Sequence, residues 1–440
     1  PGGAAGAAEA QEIPRVQSYT YLGYELEESL KLDTVIKHVR ERAQKRVFAA
    51  RPFLCNRALP ARLKVWFVRN VVSPVATYGA QLWGTDAKNS DKLQSIVNIA
   101  LRWALNVPKT FPVAALLRIA GVKPVAVLSH NLVVGAGVRW RSTHLLVSEL
   151  FNSVSCCNNA FIKPVIARVR TQAFKLTGAT GVIHPRDMVQ VDSARTKHWY
   201  EARLKAKGGK LIELYAAGHV VPTSLFWALE RVPRLYGEVG NVVRLMGYAW
   251  HGTHMDVIAG RLGQEFRYMC PYCGLDKEET VAHYLLRCPA WASARAAFLL
   301  PVLEAAGIAL GPLAQEAAED LEEDAAVLRQ QAEAACIRTL VGTVPIADVP
   351  LWWKRPALRA DNAKTAHSIR AIIMLFRFSH AVSRRRMAHL GPLIDRHIAA
   401  NAAVREARVL SPDTGGDLHR VPPLSDAEVV DDGYTDIDPV

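Results

Sequence analysis

Four metal-ligand residues fall within nineteen positions of this chain, in the spacing Cys-x2-Cys, nine residues, His-x4-Cys: Cys270, Cys273, His283 and Cys288. Two cysteines two residues apart can direct both sulfurs into one tetrahedron, and the histidine and last cysteine, little more than one helical turn apart, can reach the same ion. Thiolate and imidazole in a closed four-ligand set favour zinc and leave no position for a catalytic water. We therefore predict one structural Zn2+.

Two other interpretations of this cluster stay open at the level of sequence. The three cysteines could be buried beside an unrelated histidine, and His251 or His254 upstream could replace His283 as a ligand. The remaining cysteines show no framework spacing, unlike those of a secreted disulfide scaffold: Cys55, Cys156, Cys157 and Cys336. Cysteine usage therefore indicates a reducing compartment and one metal site.

The rest of the chain is dominated by helical periodicity, so we predict a mostly α fold. Residues 13–26 are rich in β-branched and aromatic side chains and predict a short strand pair. Residues 32–50 carry apolar positions at helical spacing, with basic residues on the other faces. The next helix is expected to begin at Pro60 and to end or kink at Pro74. Further helices are predicted at 91–105, 112–120, 124–150, 223–263, 290–306, 313–340 and 362–408, and residues 152–209 are expected to be less regular.

The charge balance indicates a polyanionic partner. The chain has 54 Lys and Arg against 41 Asp and Glu, a formal net charge of +13. Nucleic acid is the commonest partner of such a chain, although a solvated basic surface would have the same composition. The last thirty residues are acidic and contain prolines, so they predict a disordered tail. No apolar run reaches the length of a membrane span, and no membrane partner is expected.

Several segments resemble one protein family, the non-LTR (LINE-type) retrotransposon reverse transcriptases. "CPYCGLDKEETVAHYLLRCPAWASAR" at 270–295 is similar to their C-terminal zinc-binding module, and "RLMGYAWHGTHMD" at 244–256 to its helical lead-in. "YTYLGYELEESLKLDTVIKHVRERAQKRV", "VSPVATYGAQLWG" and "ALRWALNVPKTFPVAALLRIAGVKP" resemble the segment that enters the thumb and the thumb's continuation. These matches keep the family's order and cover 19–150 and 244–300.

The resemblance implies an arrangement of domains along the chain. The expected order is a linker at 1–12, a reverse-transcriptase thumb-like helical domain at 13–150, a basic helical connector at 151–243, a CCHC zinc knuckle at 244–300, a helical C-terminal domain at 301–410 and the acidic disordered tail at 411–440. The segments 151–243 and 301–440 have no clear counterpart in the family.

A thumb grips nucleic acid through its phosphate backbone, so exposed basic side chains are the expected contacts. The candidates on the thumb-like helices are Lys37, Arg40, Lys45, Arg46, Arg62, Lys64 and Arg69. A second basic run lies beside an aromatic side chain, as in single-strand RNA binding: Arg195, Lys197, Trp199, Lys205, Lys207 and Lys210. Arg384–Arg386 is interpreted as a solvated helix face. Trp66, Trp83 and Trp103 are predicted to lie in the core.

The chain departs from the family in one essential respect. Polymerisation there requires a palm with an Asp-Asp hairpin that holds two metal ions, and this palm would precede Tyr19. The Asp431–Asp432 pair lies in the acidic tail instead, so no catalytic residue is assigned and we expect this chain alone to be inactive.

Two functions remain in competition. The first is the non-catalytic RNA-binding region of a reverse transcriptase, contacting RNA or an RNA–DNA duplex. The second is a domesticated stand-alone structural subunit of a ribonucleoprotein such as an organellar ribosome, with ribonucleoprotein partners. An intracellular location is expected in both cases: nucleus or cytoplasm for the first, an organelle for the second.

Overall fold

The computed structural model describes residues 16–21, 24–27, 32–84, 86–142, 167, 169, 171, 187–206, 222–247, 252–258, 260–308, 323–341 and 362–410. Of these residues, 79% are helical, which confirms the mostly α prediction. The predicted strand pair is also present. Strands β1 (Ser18–Tyr21) and β2 (Tyr24–Glu27) pair antiparallel, with Tyr19 opposite Leu26. This hairpin packs against the first helix.

The helices up to residue 142 form one packed body around a shared core. They are α1 (Asp33–Ala49), α2 (Arg51–Cys55), α3 (Ala61–Phe67), α4 (Ser73–Ala76), α5 (Ala80–Trp83), α6 (Ala87–Leu105), α7 (Val113–Ala120) and α8 (Val125–Ser142). Helix α1 buries one stripe, with Val39, Ala43 and Val47 four residues apart, against α6. The opposite face of α1, which carries most of its charges, is exposed.

Proline shapes the connection between α3 and α4. A π-helical turn at Val68–Val72 joins the two helices, and Pro74 lies in the first turn of α4. Proline has no backbone N–H and so cannot donate a hydrogen bond within a helix. In the first turn of a helical segment an N–H would have no intrahelical acceptor, so Pro74 leaves few backbone carbonyls without a donor. The Ser73 hydroxyl donates to the Val68 carbonyl at 3.1 Å. Pro74 thus changes the helical pitch without ending the helical path.

The second half of the described chain is also helical and is organised around one long helix. Its helices are α9 (Met188–Ala206), α10 (Pro222–Arg231), α11 (Val239–Met246), α12 (Thr253–Ile258), α13 (Ala292–Phe298), α14 (Leu300–Ala305), α15 (Glu323–Leu340) and α16 (Asn362–Leu410), with 3-10 turns at Pro233–Glu238, Gln264–Arg267 and Pro289–Trp291. Helix α16 packs against α10, α11, α13, α14 and α15.

Three of the helical predictions need correction in this half. The stretch 223–263 is divided among α10, a 3-10 turn, α11 and α12, because Pro233 and Gly247 interrupt it. The stretch 290–306 is divided at Leu299, and Pro301 begins a new helix. Residues 188–206, expected to be less regular, form the continuous helix α9, whose mixed polar and apolar sequence shows little periodicity.

One hydrophobic core joins the two halves, running from Val35 in α1 through Cys288 to Val382 in α16. Among the described residues no single helix is long and apolar enough to cross a membrane. The pair 113–120 and 125–140, bent by 66°, passes that test of length and composition only when its two helices are taken together.

Candidate metal centre

The first two candidate ligands lie in a tight turn that backbone hydrogen bonds close. The Cys270 carbonyl accepts from the Gly274 N–H at 2.9 Å, and the Cys270 N–H donates to the Leu275 carbonyl at 3.1 Å. Gly274 has φ +71°, a left-handed conformation that a side chain with a Cβ adopts only with strain. The turn therefore depends on glycine, and it brings Cys270 and Cys273 to one side.

The other two ligands come from a π-helical turn at His283–Arg287, after which Cys288 ends the segment. The Cys288 N–H donates to the His283 carbonyl at 2.7 Å, a bond from residue i+5 to residue i. In a regular α-helix, positions five apart point about 140° away from each other. The wider π turn brings them nearly into line, so the His-x4-Cys spacing matches the local backbone. The two residues, expected to be little more than one helical turn apart, are thus separated by one π-helical turn.

The four side chains meet at one point. Their ligand atoms all lie within 4.8 Å of one another. The Cys270 and Cys288 sulfurs are 4.0 Å apart, and the Cys273 sulfur is 3.5 Å from His283 Nε2. A tetrahedral zinc with ordinary bond lengths would require S–S and S–N edges of about 3.8 Å and about 3.6 Å. The donor set and its spacing therefore fit one tetrahedral metal ion.

The cluster is largely closed to solvent. Cys270 and Cys288 are fully buried, His283 is 4% exposed, and Cys273 is half-buried. Four protein donors complete a tetrahedron, which is the arrangement of structural rather than catalytic sites. Among the described residues no other group of histidine, cysteine and carboxylate side chains comes together in this way. His251 lies outside the described residues, as does the His254 side chain.

The three thiols differ in how readily they ionise. The hydrogen bond from Cys288, with further help from His283, holds the pKa of Cys270 far below its ordinary value. The same hydrogen bond raises the pKa of Cys288, because it stabilises the protonated donor, and burial raises the pKa of Cys273. Metal ligation requires all three as thiolates, so metal binding would release protons and become weaker as the pH falls.

Hydrogen bonds fix the backbone of the π turn at both ends. The Thr280 hydroxyl accepts from the His283 N–H at 3.1 Å, as an N-cap side chain does. Arg295, on α13, donates to the carbonyls of both Leu286 and Cys288. These two carbonyls lie at the end of the turn, where intrahelical donors are missing. Arg295 thus satisfies them and holds Cys288 in position.

Helix α16 packs directly on the metal loop, defined as residues 270–288. The Arg386 guanidinium donates to Glu279 Oε2 at 2.8 Å, and the two side chains are 13% and 1% exposed. His389 Nε2 lies 2.9 Å from the Pro271 carbonyl oxygen, and its ring is 5.7 Å from that of Tyr272. The metal loop and the C-terminal helix therefore form one packed unit.

Glu279 and Arg386 modify each other's ionisation. Burial raises the pKa of Glu279, and the guanidinium acts against this rise. Burial acts to lower the pKa of Arg386, but the Glu279 carboxylate outweighs it and the pKa is raised overall. Direct hydrogen bonding at 2.8 Å favours the doubly charged pair at neutral pH. Glu279 Oε2 also accepts from the Thr253 N–H at 2.9 Å, which ties α12 to the same carboxylate.

The candidate nucleic-acid residues of the thumb-like helices divide into two groups. Lys37, Arg40, Lys45 and Arg46 are exposed on α1, Arg62 is exposed on α3 and forms an ion pair with Glu230, and Arg69 is half-buried. Lys64 differs from them. It is 5% exposed, and its ammonium donates to the Asn56 carbonyl at 3.2 Å. Lys64 is part of the fold, so we remove it from the candidate contacts.

The tryptophan predictions are corrected in the same region. Trp83 is fully buried, as predicted. Trp103 is half-buried, with its ring 5.4 Å from Phe48 in an edge-to-face contact and Arg51 above it. The prediction that Trp66 lies in the core is wrong, because it is 55% exposed on α3. Helical spacing places Trp66 beside apolar neighbours but does not identify which face is buried.

The first part of the second basic run lies on α9, which packs against α7 and α8. Lys197 is exposed, Arg195 is half-buried, and Trp199 is half-buried with its ring 5.1 Å from Tyr200. Lys205 belongs to the same helix, but its side chain lies outside the described residues, as do Lys207 and Lys210. Only Lys197 is therefore placed on the surface as a candidate contact.

Sequence reasoning missed the residues that support the metal ligands. Glu279 was only part of the quoted segment 270–295, and Arg386 was interpreted as solvated, yet their side chains are only 1% and 13% exposed. Arg295 and His389 were not singled out. The charge-rich segment around 384–389 was a signal, but no spacing rule identifies the arginine that turns inward.

Comparison with known proteins found no relative of this chain. No protein-family model matches it, and no curated protein or solved structure is significantly similar to it. The metal assignment therefore rests on the donor set and its geometry. The family resemblance rests on the quoted motifs alone.

Proposed function

We propose that this protein is a non-catalytic RNA-binding protein with a structural zinc centre, related to the C-terminal region of non-LTR retrotransposon reverse transcriptases. One observation carries the proposal. Between residues 32 and 62, the described surface exposes eight Lys and Arg side chains and two acidic ones, Asp33 and Glu41. The eight are Lys37, Arg40, Arg42, Lys45, Arg46, Arg51, Arg57 and Arg62. We call this the basic surface.

Its cations suit a phosphate backbone. Lys37, Arg40 and Lys45 lie within two and a half turns of α1, and Glu41 is the only acid exposed on that stretch. Contacts of this type fix a polynucleotide in place without reading its sequence, and they release condensed counterions. Binding should therefore weaken steeply with added salt.

Aromatic side chains beside the basic surface favour unpaired bases. Phe48, at the end of α1, is 48% exposed, and Trp66 on α3 is 55% exposed. Exposed aromatic rings next to cations are typical of single-stranded binding surfaces, because each base can stack on a ring while its phosphate meets a cation. We therefore propose single-stranded RNA as the ligand, with an RNA–DNA duplex the weaker binder.

The metal serves the fold in this proposal. Cys270, Cys273, His283 and Cys288 would hold one Zn2+ and supply it with three thiolates and an imidazole. A zinc ion with four protein ligands contributes folding energy and leaves no open position for substrate. Its role is to keep the metal loop and α16 in one arrangement.

The test is a charge-reversal variant, Lys37→Glu/Arg40→Glu/Lys45→Glu, in the full chain. We expect its affinity for a labelled single-stranded RNA, measured by fluorescence anisotropy, to fall about 100-fold at about 0.1 M salt, and the slope of log K against log salt to fall by about 2. The expectation assumes one phosphate contact per cation.

A matched control has the same change in net charge. Lys88→Glu/Lys92→Glu/Lys109→Glu alters three exposed lysines on and after α6. The control should bind RNA nearly as tightly as the unaltered chain. Equal losses in the two variants would mean that net charge alone attracts RNA, and the basic surface would then have no special role.

A further inference from the structure

Helix α16 carries a second set of exposed cations. Arg370, Arg377 and Arg384 follow at intervals of seven residues, so they lie on one face, and Arg385 lies beside them. All four are exposed, and no ion pair joins them to another described residue. We call this set the arginine face. Arg386, the next residue, points inward to Glu279.

The segment of α16 that carries the arginine face contains no acid of its own. The chain has no Asp or Glu between positions 362 and 394. Ala381 and Ala388, between and beyond the arginines, are also exposed, and their small side chains leave room for a polymer to approach the helix. Arg370 and Arg384 are about 21 Å apart along the axis, at 1.5 Å per residue. This length spans several phosphates of an extended strand.

A cleft of about 210 Å³ adjoins this face between α13 and α16. Arg385 and Ala381 form its border with the arginine face, and Trp291, Ser293, Phe298 and Val382 line it. Trp291 is 5% exposed, and its Nε1 is buried with no hydrogen-bond acceptor among the described residues. The Trp291 Nε1 is therefore closed to a ligand, and the cleft offers apolar walls, the half-buried ring of Phe298 and the Arg385 guanidinium.

These properties match one nucleobase. A base has flat apolar faces and hydrogen-bond acceptors on its edge, so an aromatic ring such as Phe298 can stack on it and a guanidinium can donate to it. The volume is below the roughly 300–1,000 Å³ of sites for drug-sized ligands, so a single ring system fits better than a whole nucleotide. The adjoining arginines would then meet the phosphates on either side of that base.

We infer that the arginine face and the adjoining cleft form a second RNA contact, in which the arginines bind phosphates and the cleft receives one unpaired base. This inference rests on the proposed function, because it assigns RNA as the ligand of the chain. It adds a site in the C-terminal part, for which the sequence indicated no partner. It also places RNA on the helix that packs on the metal loop.

The first experiment is the variant Arg370→Glu/Arg377→Glu/Arg384→Glu in the full chain. We expect about 100-fold weaker binding of single-stranded RNA at about 0.1 M salt and a salt slope lower by about 2. The Lys88→Glu/Lys92→Glu/Lys109→Glu variant is the control, and circular dichroism confirms that each variant is folded. Because α16 is also structural, the conservative Arg370→Lys/Arg377→Lys/Arg384→Lys variant should keep most of the affinity.

The outcomes separate this inference from the proposed function. If reversal of the arginine face leaves affinity unchanged while reversal of the basic surface weakens it, the inference is wrong and the proposed function stands. If neither reversal changes affinity, both are wrong. The alternative occupant of the arginine face is the chain's own acidic segment, residues 411–440. If the arginine-face reversal matters only after that segment is deleted, the acidic segment occupies the face, and the inference is overturned.

A second experiment tests the cleft by itself. Single-stranded RNA that contains the fluorescent base 2-aminopurine should lose fluorescence on binding, as the base stacks on Phe298. The Ala381→Leu variant fills the mouth of the cleft from an exposed position and should abolish the quenching at that site. Quenching that persists unchanged in this variant would show that the base lies elsewhere, and no quenching in the unaltered chain would exclude the cleft as a base site.

Discussion

Two regions of the molecule are rich in cations: the metal loop with its supporting helices, and the α1 part of the basic surface. The cations of the first region point into the protein, and those of the second point toward solvent. Around the metal loop, Arg386 and Arg295 point inward and donate to Glu279 and to backbone carbonyls. On α1, the Lys37 and Arg40 side chains are exposed. Arginines of the first kind stabilise the fold, whereas Lys37 and Arg40 are placed where a ligand can contact them.

The contrast is sharpest within α16. Arg384 and Arg386 are two residues apart on one helix, so they point about 160° away from each other. Arg384 is exposed, whereas the Arg386 side chain is only 13% exposed and lies against Glu279 and the rings of Tyr272 and Tyr284. A run of arginines therefore does not have one function, and the helical face decides the role of each residue.

The largest predicted effect is that of losing the metal, which should destabilise the metal loop but not α1. We expect Cys270→Ser to abolish binding of one equivalent of zinc, measured by elemental mass spectrometry, and to lower the melting temperature sharply. Structural zinc contributes an apparent binding free energy of about 10 kcal/mol or more, comparable to the whole stability of a domain. Hydrogen exchange should show lost protection in the metal loop and in α16 near His389, while α1 keeps its protection.

The matched control is Cys55→Ser, since Cys55 is exposed and lies outside the cluster. This variant should bind zinc and melt like the unaltered chain. Retention of zinc and of the melting temperature by Cys270→Ser would contradict the metal assignment. Equal loss of protection in α1 and in the metal loop would show instead that the two regions unfold as one unit.

The second-largest effect should be a difference in stability between variants of Arg386 and of Arg384. Arg386→Met leaves the Glu279 carboxylate buried without its partner, which typically costs about 3–5 kcal/mol. Arg384→Met changes an exposed side chain and should alter stability by less than about 0.5 kcal/mol. Urea unfolding followed by circular dichroism measures both.

The double variant Glu279→Gln/Arg386→Met tests the reason for the loss. Removal of both charges should recover much of the stability, because no buried charge is then left unpaired. If Arg386→Met costs no more than Arg384→Met, the inward-facing ion pair contributes little to the fold. The distinction between structural and ligand-binding arginines in α16 would then lose its energetic basis.

The sequence was sufficient to predict the four residues of the candidate metal cluster and the helix α1. Cys270 and Cys273 share a spacing that few other functions require, and Val39, Ala43 and Val47 repeat at the helical period. Both patterns involve residues close together in the chain, so they can be recognised without knowledge of the tertiary structure. The π turn that aligns His283 with Cys288 was not predictable in detail, since its extra residue per turn leaves no distinct pattern in the sequence.

Tertiary packing decided what the sequence could not. Trp66 and Lys64 are two residues apart on α3, and the tryptophan is exposed whereas the lysine is buried. Residue type predicts the opposite arrangement. Likewise, Glu279 and Arg386 are 107 residues apart in the chain, and only the packing of α16 on the metal loop brings them together. Such pairs depend on contacts that no local pattern encodes.

The smallest predicted effect concerns Lys64 and Lys45. The sequence predicted both lysines to be nucleic-acid contacts. Burial lowers the pKa of Lys64 below 10.5, against a weaker opposing effect of Cys55. The folded state therefore binds this proton less tightly than the unfolded state does. At neutral pH both states are protonated and folding includes the cost of burying the charge. As the pH rises through the folded-state pKa, the proton leaves and this cost disappears.

We accordingly expect Lys64→Met to stabilise the chain at neutral pH by no more than about 1 kcal/mol, partly offset by the lost hydrogen bond to Asn56. The gain should shrink at alkaline pH, as the pH rises through the lowered folded-state pKa of Lys64 and the ammonium loses its proton. RNA affinity should stay unchanged. Lys45→Met should show the reverse, with unchanged stability at both pH values and weaker RNA binding. A loss of RNA affinity in Lys64→Met equal to that in Lys45→Met would return Lys64 to the binding surface, and burial would then fail to separate structural lysines from ligand-binding ones.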